Sequence, residues 1–192
     1  MSAPARASLP QDRRPGSLGT LRVRRGLRPQ AAGLDLRVNI DDLLRDEDAG
    51  WTELHLLIDP LSPAEAETPG YFPEGWSVKD LIGHLGSWLA EAGIALERIR
   101  VGTYRAGELD IDAKNEEFLD ALRPLTLRET HAQAEAARAQ TLRTLRSLPE
   151  VSEDAAWWIE KAGPAHYAKH LPRLREWAEE LRSGALPAGD HA

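Results

Sequence analysis

From Asn39 onward, apolar side chains recur at helical spacing. Ile40, Leu43, Leu44, Trp51, Leu54, Leu57 and Ile58 fall on one face of a 3.6-residue period, with Asn39 or Asp41 placed to cap the start. The stretch DPLSPAEAETPGYFPEG follows, and its four prolines and two glycines predict a loop. A second stripe, Val78, Leu81, Ile82, Leu85, Leu89, Ala92 and Leu96, predicts a helix that opens at Ser77 and ends near Val101 and Gly102. Ser77 and Asp80 stand three apart, a shortened capping box, and capping is the reading preferred for Asp80.

After the acidic loop AGELDID, helical pattern resumes at Ala113, passes Phe118 and Leu122, and meets Pro124. TLRE at 126–129 is a second capping box. Residues 113–148 therefore read as one helical arm broken near Pro124. A short helix is expected around Trp157 and Trp158. The last helix starts at Pro164, a favoured first position, and runs past Leu181, with a kink expected at Pro172 just after His170. No strand-like alternation appears. Four long helices with long first and second loops predict an all-α four-helix bundle over 36–185.

Residues 1–35 carry seven arginines and two aspartates and little apolar material, so they predict a disordered basic arm, and 186–192 a frayed tail. The arm has a net charge of +5 and the rest of the chain −12. An acidic body argues against sequence-independent nucleic-acid binding, which rests on neutralising phosphates. No apolar run reaches the roughly 18 residues that a membrane helix needs, and the arginine-bearing start lacks the apolar stretch of a secretory signal. A cytoplasmic protein is expected. Bundles of this kind can pair through exposed helix faces, which leaves a homodimer open.

The chain contains no cysteine. Any metal site must then be built from His, Asp and Glu, and any thiol chemistry must use a sulfur brought from outside. HYAKH at 166–170 places two histidines at i and i+4, stacked on one helical face, the spacing that lets H-E-x-x-H hold zinc. His84, on or beside the second stripe between Gly83 and Gly86, is the candidate third ligand. Each feature alone is weak; the three together, on inward faces of two helices, point to a metal. Asp110, Asp112 and Asn115 could orient a ligand, although a solvated loop is the plainer reading. Tyr167 could donate a hydrogen bond, with packing as its alternative. Trp88, Trp157, Trp158 and Trp177 read as core, one of the 157–158 pair lining a pocket mouth. His55 and His131 read as surface residues and His191 as part of the tail.

GWSVKDLIGHLGSWLAEA, followed some eighty residues later by HYAKHLPRLREW, resembles the DinB-like superfamily. Its pattern opens the second helix with W-[ST]-x-[KR]-[DE]-x-x-x-H-L and sets H-x-x-x-H on the last. Trp76, Ser77, Lys79, Asp80, His84, Leu85, His166 and His170 match it over a resemblance spanning roughly 38–184. The segment DIDAKNEEF, with Asn115, is similar to one in the mycothiol-dependent maleylpyruvate isomerase and ClbS/DfsB-like branches. The resemblance implies a four-helix fold and a divalent metal, zinc, nickel or iron, on His84, His166 and His170. It also implies a transferase, isomerase or hydrolase acting on small electrophiles in detoxification or stress response. The nucleophile would be metal-bound water or a thiol such as mycothiol, bacillithiol or glutathione. Some relatives carry a carboxylate where His166 stands. A non-catalytic, metal-binding damage-protection protein is the alternative the resemblance also allows.

Overall fold

The computed structural model of the protein describes residues 21–22, 39–72 and 75–183. Among the described residues the fold is an all-α bundle of four long helices, supplemented by three shorter ones and a two-residue strand pairing. The expected tail, His191 with it, lies outside the described residues, as does the expected arm apart from β1 (Leu21–Arg22). Leu21 and Arg22 pair antiparallel with Leu109 and Glu108 of β2 (Glu108–Leu109), a pairing too short to leave an alternating pattern in the sequence.

Helix α1 (Ile40–Ile58) begins where the Asn39 side chain accepts the Asp41 amide at 3.0 Å. The following loop contains one further turn, α2 (Pro63–Ala66), closed by a reciprocal capping box between Ser62 and Glu65. Four residues cannot display a helical stripe, so periodicity alone does not reveal it. Helix α3 (Val78–Arg100) opens with the Ser77–Asp80 box and stops before Gly102, which adopts a φ of 71°.

The expected arm over 113–148 is two helices, α4 (Ile111–Leu122) and α5 (Leu127–Arg146). Helix α4 starts two residues earlier than the apolar pattern suggests because Asp110 caps it, its side chain accepting the Ala113 amide. Arg123 is still helical, but Pro124 has no N–H to continue the ladder, and Thr126 with Glu129 caps a fresh start. Helices α6 (Glu153–Ala162) and α7 (Pro164–Ser183) meet at Gly163. Helix α7 continues through Pro172, whose missing N–H deprives the Ala168 carbonyl of its helical donor.

Helix α3 is the central element, with Val78, Leu81, Ala92 and Leu96 fully buried. Helix α5 lies so close along it that a Cβ on Gly86 would fall 2.7 Å from the Ala134 Cα. A Cβ on Gly83 would strike Leu122 at 2.6 Å. The glycines flanking His84 thus admit neighbouring helices. Helix α1 packs on α7, where Gly50 faces the Tyr167 ring. A large apolar cluster joins these helices, and a smaller one at the other end gathers Leu96, Leu145, Leu148, Ala155 and Ile159. No helix among the described residues is long and apolar enough to cross a membrane.

Candidate metal centre

His84 is brought to the site by the capped start of α3, which sets its register against the bundle. His166 comes from the first turn of α7 and His170 from one turn further on. Their ligand-capable nitrogens all lie within 4.8 Å of one another, and His84 Nε2 is 3.0 Å from His166 Nε2. With metal–nitrogen bonds near 2.0–2.1 Å, two ligands of one ion stand about 2.9–3.4 Å apart. The His84–His166 separation falls within that interval. As neutral rings the same two nitrogens can share one proton in a hydrogen bond.

His84 and His170 are buried and His166 is half-buried. Desolvation holds the His84 imidazole well below its ordinary pKa, assisted by His166, His170 and Lys169. His166 is pushed down to about 3 by burial first and then by His170 and Lys169, and His170 to about 4 by burial and Lys169. All three are therefore neutral near pH 7 and present lone pairs. Among the described residues their buried Nδ1 atoms meet no partner within hydrogen-bond geometry, an expense that an apolar core does not compensate. Three convergent, uncharged imidazole nitrogens fit a borderline divalent ion such as zinc, nickel or iron. Three protein ligands are also the number that catalytic zinc sites use, where water or substrate takes the fourth position.

Each histidine is backed by an aromatic ring. Phe72 lies 5.7 Å from His170, Trp76 5.1 Å from His84, and Trp88 6.4 Å from His166 by ring centroids. Trp88 is held in turn by its Nε1 donating to Asn115 Oδ1 at 3.0 Å and by Phe118 edge-on at 5.4 Å. Asn115 is thereby linked to the His166 wall through Trp88. Asp110 is a helix cap, Asp112 is exposed, and Asp80 completes the Ser77 box.

Tyr167 is placed otherwise. Its hydroxyl donates to Glu47 Oε1 at 2.9 Å, and Glu47, 1% exposed, is bound by Arg138 Nε and Nη2. Burial and the Glu47 charge raise the Tyr167 phenol well above its usual range, so it stays a donor. The residue is committed to a polar clasp joining α1, α5 and α7. The sequence holds a signal for this clasp: Glu47 falls on the apolar stripe of α1, between Leu44 and Trp51, where a carboxylate needs a partner.

His55 and His131, expected at the surface, are half-buried and face each other with ring centroids 6.1 Å apart. Trp88 and Trp177 are core residues as expected. Trp157 and Trp158 are only half-buried, and Trp158 Nε1 donates to the Tyr104 hydroxyl at 3.0 Å.

No curated protein and no solved structure matches the chain at a significant level. The family model described as "Mycothiol maleylpyruvate isomerase N-terminal domain" matches residues 48–183, well over half of the chain and every element from α2 to α7. That span contains all three histidines of the site. The chain belongs to this mycothiol maleylpyruvate isomerase N-terminal domain family, a DinB-like group of all-α proteins.

Proposed function

We propose that this protein is a divalent-metal-dependent enzyme that directs a low-molecular-weight thiol, or water, at a small electrophile. The observation that carries the reading is the meeting of three neutral imidazoles from two helices, 82 residues apart in sequence for His84 and His166. Mycothiol is the thiol named by the family, and bacillithiol and glutathione are alternatives of the same chemistry. Transfer, isomerisation and hydrolysis all fit that nucleophile, and detoxification is the role that would use it.

His84, His166 and His170 would hold the ion. Three neutral ligands would leave such an ion its full charge, and the chemistry it would supply is to ease the loss of a proton from a thiol or water near neutral pH. The rings of Phe72, Trp76 and Trp88 pack against the histidines and make their surroundings apolar. Asn115 fixes the Trp88 ring through its Oδ1. The chain contributes no sulfur nucleophile, in keeping with one supplied by the thiol.

The test takes untagged protein loaded with zinc, nickel or iron and follows loss of maleylpyruvate, or of a panel of epoxide and alkyl-halide electrophiles, with each thiol. Turnover that disappears in His170→Ala, with helix content retained, is the expected result. Turnover unchanged in that variant ends the reading. Metal bound at the site without turnover of any pair would favour the non-catalytic, metal-binding protein instead.

A further inference from the structure

The seam between α1 and α5 carries a second group of chemistry-bearing side chains, away from the triad. Helix α1 and the residue that caps its end offer His55 and Asp59, and α5 offers His131 and Glu135, each pair at i and i+4 on one face. His55 stands between the helices with both ring nitrogens engaged. Its Nδ1 lies 2.9 Å from Asp59 Oδ1, and its Nε2 lies 3.4 Å from Glu135 Oε1. The ring lies against Trp51 at 5.0 Å, tilted by 49°, and its side chain is 23% exposed, so it is packed on one side and reachable on the other.

We infer that His55, His131 and Glu135 form a second divalent-metal site bridging α1 and α5, with Asp59 orienting His55. The order carboxylate, imidazole, open ligand edge is the arrangement by which a metal-binding histidine is held: Nδ1–H donates outward to a carboxylate, and Nε2 presents its lone pair. The His55–Glu135 separation is long for a hydrogen bond but equals the edge between two ligands of one ion, about 2.9–3.4 Å. His131, one turn before Glu135 on the same face, is the third ligand. The ring stands 6.1 Å from His55 by centroids, and a side-chain rotation must bring one of its nitrogens to the ion. It is half-buried on the seam. Two imidazoles and a carboxylate suit zinc, or cobalt as a spectroscopic substitute. The ion would link helices that this seam joins otherwise through Arg138 on Glu47 and Asp48.

The site is independent of the proposed activity, and its test can be read in protein whose triad has been removed. Untagged full-length His84→Ala/His170→Ala is titrated with zinc by calorimetry and with cobalt by visible absorption. One zinc per chain, a cobalt d–d band of four- or five-coordinate character and a zinc-dependent rise in melting temperature are expected. All three should vanish when His131→Ala is added. Asp59→Asn, which keeps every ligand but loses the orienting carboxylate, should weaken zinc binding by about 10–100-fold. Should the double substitution fail to fold, wild-type protein serves: two zinc ions per chain, falling to one in His131→Ala. Binding that is absent, or that survives His131→Ala and Glu135→Gln unchanged, overturns the site.

Discussion

Glu47 of α1 and Tyr167 of α7 meet in the core at 2.9 Å, one residue along the chain from the candidate metal ligand His166. Arg138 of α5 closes the group by gripping both Glu47 oxygens, so three helices are tied at a buried carboxylate. Removing one member of such a pair leaves a charge in the interior without its counter-charge, which typically costs about 3–5 kcal/mol. Arg138→Ala is expected to lose stability of that order in urea denaturation. Tyr167→Phe removes a single hydrogen bond to the carboxylate and should cost about 1–3 kcal/mol. Equal losses in the two variants would mean that Arg138 is not the principal partner of Glu47.

Helix α3 approaches α5 through Gly86, where an added Cβ would lie 2.7 Å from the Ala134 Cα. Backbone cannot step aside as a side chain can. Gly86→Ala is expected to destabilise the bundle by about 1–3 kcal/mol through forced separation of the two helices. Pairing it with Ala134→Gly should recover only part, because removing the methyl leaves the α5 backbone in the way. The urea midpoints of both variants check this.

Acid should destabilise the metal-free protein through the triad. His166 and His170 hold their protons only near pH 3 and 4 in the folded chain, whereas an unfolded histidine takes one near 6.5. Between those values the unfolded state binds more protons, so stability rises with pH and falls as the solution is acidified from about 6.5 toward 4. Denaturation midpoints at about pH 7.5, 5.5 and 4.5 should decline in that order. His84→Leu/His166→Leu should show a shallower decline over the same range, and an unchanged slope would contradict the assignment.

Metal removal gives the complementary measurement. An ion that binds only the folded chain stabilises it by about 2.7 kcal/mol at a hundred times its dissociation constant. Untagged protein should therefore melt at lower temperature after chelation and recover when zinc, nickel or iron is returned. His170→Ala should purify with less metal by elemental analysis and lose the triad's share of the recovery. Full metal content in that variant would place the ion elsewhere.

The elements are legible one at a time. Capping residues at Asn39, Ser77 and Thr126 mark helix starts by satisfying free amides locally, and each caps the helix that the stripe behind it predicts. Pro124 separates two helices by constraining its own neighbourhood. Asp110 reads as part of an acidic loop because a lone acidic cap beside other acidic residues breaks no apolar pattern. Four-residue α2 leaves no periodic trace at all.

The sites divide in the same way. Spacing alone puts His166 and His170 on one face, since i and i+4 are neighbours in any α-helix. That His84 joins them depends on how α3 crosses α7, a matter of packing between residues 82 apart. Tyr167 shows the limit clearly: one position from His166, it is turned by the helix toward Glu47, and only the neighbouring helices decide what waits there. His55 and His131 read as surface residues because each stripe is silent about the helix beside it. Sequence by itself determined the local geometry, which is short-range and repeats every turn. Tertiary structure decided which faces meet, because that depends on the simultaneous packing of every helix in the bundle.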